Sequence, residues 1–175
     1  MPCARGLLLA ILLLLPATAE ARLKQLTVKT DSLKAGALCG HRFDEKVPAP
    51  AVKDGEVGLD HKPYHFVLES DVVPSLPDIG VGIVVRLHDF RRGEQLTLQA
   101  GKVQVGVTPD TWQIVLNDDG SFWVAKTPDP GTRLDAGVYR FTALRGGKAF
   151  LIYEFDVRPA TKANIDLHLC GPAVS

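Results

Sequence analysis

Apolar and polar residues alternate along most of the chain beyond residue 22, and this period of two is typical of β-strands with one buried face. The clearest run occupies residues 81–87, where every second side chain is a large aliphatic one. The apolar members of the runs are Leu26 and Val28; Tyr64, Phe66 and Leu68; Val81, Ile83, Val85 and Leu87; Leu96, Leu98 and Ala100; Trp112, Ile114 and Leu116; Phe122 and Val124; Tyr139, Phe141 and Ala143; Leu151, Tyr153, Phe155 and Val157; and Ile165, Leu167 and Leu169. Each run predicts a short strand.

Turn signals separate several of these runs. The order Asn-Asp-Asp-Gly at 117–120 indicates a hairpin turn, and Arg-Gly-Gly at 145–147 indicates another. The run that ends at Ala100 is followed by valines at 103, 105 and 107, which have the opposite parity. A β-bulge or tight turn at 101–102 would reconcile the two parities, because glycine tolerates the backbone angles that a bulge needs.

About seven to nine short strands at this spacing predict an all-β fold, a single antiparallel β-sandwich domain over residues 22–175. No segment has the period of an amphipathic helix of useful length. Residues 36–58 contain Pro48, Pro50 and Gly55 among several charged residues, and they predict a long irregular loop within the domain.

The first 21 residues have the pattern of a cleavable secretory signal peptide. Arg5 and the α-amino group are positive, residues 7–15 form an unbroken apolar run, and Pro16 ends it. Alanines at 17 and 19, and again at 19 and 21, make two small-x-small sites, which place the cleavage after residue 19 or 21. Because a membrane span needs about 20 apolar residues, a membrane anchor is the weaker interpretation. We expect export to the periplasm or the extracellular space, with no integral membrane segment after cleavage.

Acidic and basic residues balance at 20 each, and neither sign forms a block. A nucleic-acid-binding protein usually carries a basic stripe, and a protein that binds anionic membranes carries a cluster of Lys and Arg. The two adjacent arginines at 91–92 lie in a polar turn and are expected to be solvated. The composition therefore disfavours nucleic acid and anionic membrane surfaces as partners.

Removal of the signal would take away Cys3 and leave Cys39 and Cys170. An even pair in an oxidising compartment is most simply a disulfide. The bond would close a loop of roughly 130 residues. In the chain-entropy model, closing such a loop stabilises the folded state by several kcal/mol. The rival interpretation is two free thiols, but no pattern of His or Lys indicates an activated thiolate at either position.

A resemblance to a known kind of domain rests on the second half of the chain. The motifs that carry it are Asp-Ala-Gly-Val-Tyr-Arg-Phe at 135–141, Gly-Lys at 147–148, Tyr-Glu-Phe-Asp-Val at 153–157, Val-Pro at 73–74 and Gly-Val-Gly-Ile at 80–83. Over residues 63–158 the chain resembles a family of exported bacterial immunoglobulin-like single-domain proteins. The resemblance implies an immunoglobulin-like β-sandwich and no activity, so no functional residue carries over. The two cysteines lie outside the matched stretch, and the Cys…Trp…Cys spacing of antibody domains is absent.

Motifs for catalysis or metal binding are sparse. His61 and His65 are four residues apart, but Pro63 disfavours the helix that would bring them to one zinc ion. The acidic pair at 118–119 lacks the spacing of a calcium loop. No nucleophile elbow, metalloprotease motif or phosphate-binding loop is present. We expect no catalytic residue, cofactor or metal; the alternative is a small secreted hydrolase or metal-binding protein that uses His41, His61 and His65.

Three large side chains have the opposite parity to the expected core residues of their strands: Trp123, Phe150 and Ile152. They either form a second packing contact under the 36–58 stretch or make an exposed apolar patch that binds a partner. We take them as the candidate binding surface of a non-enzymatic exported module. Its partner would be a protein, peptide or glycan, and the module would otherwise serve as an accessory protein of the cell envelope.

Overall fold

The structure, a computed structural model, describes residues 22–40, 45–50, 52, 55–59, 64–162 and 169–170. Within these ranges the chain forms eleven β-strands. They are β1 (Leu23–Leu26), β2 (Thr30–Cys39), β3 (Glu45–Pro48), β4 (Glu56–Leu59), β5 (Val72–Ser75), β6 (Ile79–Leu87), β7 (Gln95–Lys102), β8 (Asp110–Val115), β9 (Ser121–Lys126), β10 (Gly137–Arg145) and β11 (Lys148–Pro159). The signal-like residues 1–21 lie outside the described residues, so the cleavage sites remain predictions.

Two sheets form the body of the fold. The larger has six strands in the order β1-β11-β10-β7-β8, with β5 also paired to β11. The smaller has three strands in the order β2-β6-β9. All of these pairs are antiparallel except β5 with β11. The predicted all-β antiparallel sandwich is confirmed, with eleven strands where seven to nine were expected. The run at 64–68 is not a strand, because only Leu68 makes an isolated bridge, to Ala37. The run at 165–169 lies mostly outside the described residues.

The facing sides of the two sheets enclose one hydrophobic core. The alternating residues 81, 83, 85 and 87 of β6 are all buried, as their pattern predicts. From the larger sheet, Phe141 and Phe155 meet edge to face with ring centroids 5.6 Å apart, an arrangement that aromatic pairs prefer. Burial of each such large side chain stabilises the fold by roughly 1.5–3 kcal/mol.

The stretch 36–58, expected to be an irregular loop, contains strand structure. Strand β2 continues to Cys39, and β3 pairs with β4 in a two-stranded sheet in which Val47 lies opposite Val57. Pro48 is the last residue of β3, where a missing N–H is tolerated on an edge. Gly55 has φ 71° and its carbonyl accepts a 2.8 Å hydrogen bond from the Ala49 N–H. The proline and glycine that suggested irregular chain therefore lie at a strand end and in a turn.

Residues 103–109 form an exposed loop, which we call the apolar loop. The β-bulge or tight turn expected at 101–102 is wrong, because Gly101 and Lys102 continue the regular pairing of β7 with β10. The Val107 N–H donates to the Gln104 carbonyl at 3.2 Å, and Gly106 has φ 78°. This is the geometry of a turn with glycine at its third position. The side chains of the valines at 103, 105 and 107 are 46%, 102% and 53% exposed. Alternation alone could not distinguish this turn from a strand, because valine also occupies every second position of the loop.

The turn at 117–120 is present, but its two arms enter different sheets. The Asn117 N–H donates to the Ser121 carbonyl at 3.1 Å. Strand β8, before the turn, belongs to the larger sheet, and β9, after it, belongs to the smaller sheet. The Ser121 hydroxyl donates to Asp119 and lowers the pKa of that carboxyl. Gly120 has φ 74°, and a Cβ there would collide with the ring of Phe90. The turn therefore acts as a corner between sheets.

A disulfide joins Cys39 to Cys170, the pairing predicted from the sequence, with Cα atoms 5.6 Å apart. The bond links the end of β2 in the smaller sheet to the C-terminal part of the chain, 131 residues later.

Candidate interaction surface

Phe150, one of the three predicted surface residues, lies in the core and is only 3% exposed. The register of β10 and β11 shifts at a β-bulge, because Ala143 lies opposite Leu151 but Leu144 lies opposite Ala149. The extra residue is Phe150, and both it and Leu151 are buried as a result. The proposal of Phe150 as a surface residue is therefore corrected.

Trp123 and Ile152 are half-buried on two different faces. Trp123 lies opposite Val84 on the outer side of the smaller sheet. Ile152 lies opposite Thr142 on the outer side of the larger sheet. Since the core separates these two sides, the predicted residues do not form one surface.

The larger sheet instead presents an outer surface without charged side chains, which we call the uncharged face. It consists of Gln95, Thr97, Gln99, Thr111, Gln113, Val115, Thr142 and Leu144. These residues adjoin across three strands: Gln99 lies opposite both Thr111 and Thr142, and Thr97 lies opposite Gln113. Their neighbours along β7 point into the core. The sequence contains this pattern, but only the strand order brings it into one patch.

On the outer side of the larger sheet, charged side chains begin at Arg140 of β10 and continue onto β11 and β1. Arg140 contacts Glu154 at 2.6 Å, and Lys24 reaches the same carboxylate at 3.4 Å. The Glu154 side chain is 11% exposed, so these partners cover it. Arg158 and Asp156 form a further pair at 2.7 Å. These ion pairs mark the border of the uncharged face.

The apolar loop continues the uncharged face at one end. Between residues 103 and 117 the only charged residue is Asp110, and Lys126 contacts its carboxylate at 2.9 Å. Lys102, just before the loop, lies 3.9 Å from the carboxylate of Asp135. The loop and the face therefore make a continuous surface that offers hydroxyls, amides and aliphatic groups, with the nearest charges already paired.

The opposite end of the sandwich carries Arg92 and Arg145, both of which contact acidic residues of neighbouring turns. Arg145 contacts Glu94 at 2.6 Å, donates to the Asp89 carbonyl at 3.2 Å and lies 5.6 Å over the ring of Phe150. Arg92 makes two hydrogen bonds to Asp118. An open depression separates these turns. Because the guanidinium groups are engaged by neighbouring turns, they hold the loops together, which is a structural role.

Tyr153 is buried, and its hydroxyl links β11 to the residue before β5. Its hydroxyl donates a hydrogen bond to the carboxylate of Asp71, and the Asp156 N–H donates to the Asp71 carbonyl at 2.9 Å. Burial, followed by the hydrogen bond and the negative charge of Asp71, raises the pKa of the Tyr153 phenol well above its usual range. These contacts attach the residue that precedes β5 to strand β11.

We expect stability to fall above about pH 10 because Tyr153 ionises on unfolding. Its pKa is higher in the folded state, so its contribution is complete below the unfolded pKa of about 10 and is lost as pH rises through the folded-state pKa. Tyr153→Phe should flatten the alkaline fall in unfolding free energy, measured by urea titration at several pH values. Tyr139→Phe is the comparison, because burial also raises the pKa of Tyr139. Equal alkaline slopes in wild type and Tyr153→Phe would contradict this assignment.

The metal hypothesis involves three histidines, of which His41 and His61 lie outside the described residues. His65 has an exposed side chain. In the ranges that the structure describes, no group of three or more His, Cys, Asp or Glu side chains could hold a metal ion. Over the same ranges there is no helix of the length and apolarity that crossing a bilayer requires.

Comparison with solved structures finds an immunoglobulin-like protein of Pseudomonas aeruginosa that is similar to this chain. The two are 17% identical, and the match covers 77% of this chain and 99% of that chain with a TM-score of 0.45. No protein-family model matches the chain, and no curated protein matches it in sequence. Similarity at this level carries no information about function.

Proposed function

We propose that this protein is an exported, non-enzymatic binding module that contacts another protein through the uncharged face and the apolar loop. The observation that carries the proposal is the continuous outer surface formed by β7, β8 and residues 142–144 of β10, which has no charged side chain. Charged residues make up 23% of the chain, so their absence from so wide a surface distinguishes it. Interface cores are depleted in charge because desolvation of an ion is costly.

The chemistry of the surface suits a partner that is also neutral at the contact. Threonine hydroxyls and glutamine amides both donate and accept hydrogen bonds, so they can match the backbone and uncharged side chains of a protein. The valines of the apolar loop add aliphatic area, and burial of one such side chain contributes roughly 1.5 kcal/mol or more. Val105, which is fully exposed, is the most protruding of them.

Two features support export. The apolar run at 7–15 has the pattern of a secretory signal, and the disulfide between Cys39 and Cys170 is the kind of bond that persists in oxidising compartments.

The test is a comparison of capture from the native envelope with three baits. Gln99→Arg adds a charge to the uncharged face on an interior strand, while Ser32→Arg adds the same charge to an exposed position of β2 on the smaller sheet. We expect a partner held by wild type and Ser32→Arg to fall at least about tenfold with Gln99→Arg, equivalent to about 1.4 kcal/mol. Val105→Ser should weaken the same partner.

Circular dichroism and thermal unfolding of each bait first establish that the fold is retained. Equal retention of every captured protein by all baits, or no protein retained above background by wild type, would contradict the proposal.

A further inference from the structure

Strand β8 leaves one edge of the larger sheet open. It pairs only with β7, at the end of the strand order. The Leu116 N–H donates to the Glu94 carbonyl at 2.9 Å, and this bond sets the phase of the ladder. Since bonded and non-bonded pairs alternate along an antiparallel ladder, residues 110, 112 and 114 bond to β7, and the backbone groups of Thr111, Gln113 and Val115 point outward. In the part of the chain that the structure describes, these outward groups have no backbone partner.

Over residues 111–115, and within the described part of the chain, β8 lacks the usual protections of an open edge. Proteins block such edges with lysine, proline, bulges or a covering segment. Residues 111–115 contain no charge and no proline, and their register with β7 is regular from end to end. Gln113 and Val115 are exposed. The strand is therefore open to pairing with a further strand.

The order of residues in β8 makes it complementary to itself. In an antiparallel pair with Gln113 opposite Gln113 of a second copy, Thr111 lies opposite Val115 and Val115 opposite Thr111. All three outward residues then form hydrogen-bonded pairs, about six inter-strand bonds at two per pair. A shift by two residues in one direction would place Val115 opposite Pro109, which has no N–H to donate. The register centred on Gln113 therefore pairs every outward N–H and C=O group of residues 111, 113 and 115.

Side chains match in the same register. Trp112, which is half-buried on the inner side of β8, lies opposite Ile114 of the second copy. Aromatic and β-branched residues are favourable cross-strand neighbours, as are Thr and Val on the outer side. No like charges face each other, because residues 111–115 are uncharged and Asp110 is paired with Lys126.

We propose that two copies of this chain associate through antiparallel pairing of β8 about a two-fold axis at Gln113, which joins their larger sheets into one. The two uncharged faces then become a single face across the axis. This inference goes beyond the proposed binding function, which concerns a different protein.

The test uses opposite charges at the residue that would meet itself on the axis. Gln113→Glu and Gln113→Lys each place like charges opposite each other, and each should weaken the wild-type dimer at least about tenfold in sedimentation equilibrium. An equal mixture of Q113E and Q113K should restore dimers, seen as the mixed species by native mass spectrometry. Ser32→Glu and Ser32→Lys put the same charges on β2 and should leave dimerisation unchanged.

Amide hydrogen exchange gives a second readout that does not depend on substitution. Exchange at Thr111, Gln113 and Val115 should slow as protein concentration rises, while Trp112 and Ile114, already bonded to β7, should not respond. The proposal is overturned if wild type stays monomeric at its highest soluble concentration, if Q113E and Q113K dimerise as wild type does, or if their mixture does not restore the dimer. Val105→Ser, which lies outside β8, should dimerise as wild type does even where it loses the envelope partner, so failure of this inference and failure of the proposed function are distinguishable.

Discussion

Replacement of Phe150 by alanine is expected to lower the free energy of unfolding by about 3–5 kcal/mol, the usual range for loss of a buried aromatic side chain. Phe150 is almost fully buried, and its ring meets that of Phe122 edge to face with centroids 6.4 Å apart. The guanidinium of Arg145 closes the site from above. Truncation would leave a cavity and would also remove the apolar support of the Arg145–Glu94 pair.

The matched variant is Ile152→Ala, two residues along the same strand but on the outer side of the sheet. Because Ile152 is half-buried there, we expect a smaller loss of about 1 kcal/mol. Urea unfolding followed by circular dichroism compares the two variants. Equal losses in Phe150→Ala and Ile152→Ala would contradict the bulge that turns Phe150 into the core.

Removal of the disulfide by the double substitution Cys39→Ala and Cys170→Ala is expected to cost about 2–5 kcal/mol. The bond closes a long loop, 131 residues in sequence, so its loss frees many conformations of the unfolded chain. Thermal or urea unfolding of the variant against the oxidised wild type measures the effect. Loss of a folded state at physiological temperature would be the extreme of the same result.

Wild type under reducing conditions is the control for this variant, because it loses the bond but keeps both side chains. It should unfold close to the double variant. Thiol titration of the native protein without reductant should detect no free thiol, before or after unfolding. Two titratable thiols, or identical stability of oxidised wild type and double variant, would be inconsistent with the bond.

The strand pattern of the second half of the chain was predictable, because a strand in a two-layer sandwich buries every second residue. Residues 81–87 of β6 follow this rule without interruption, and all four large aliphatic side chains are buried. In β10, Tyr139, Phe141 and Ala143 do the same. The cysteine pair was likewise predictable, since only one pairing exists once the first cysteine is set aside.

Two errors occurred where the backbone leaves the ideal period of two. At Phe150 a single bulged residue reverses which side chains face inward, and nothing in the local sequence signals the bulge. In the apolar loop, Gly106 adopts φ 78° and converts an alternating run into a turn. The bulge is visible only in the register of β10 against β11, which is a long-range property.

The candidate site could not be predicted for a related reason. Thr97, Gln99, Thr111, Gln113 and Thr142 are unremarkable polar positions in the sequence, and each simply marks the outer side of a strand. Only the order β10-β7-β8 places them side by side. The same order leaves β8 at the edge, where its outward backbone groups lack a partner within the described residues.

By itself, the sequence determined the class of fold, the inward side of most strands and the identity of the disulfide partners. These follow from local periodicity and from the count of cysteines. The tertiary structure alone decided which strands are neighbours, which strand is last in the sheet and where the register shifts. Those properties arise from hydrogen bonds between residues that are distant in the chain, so no local pattern encodes them.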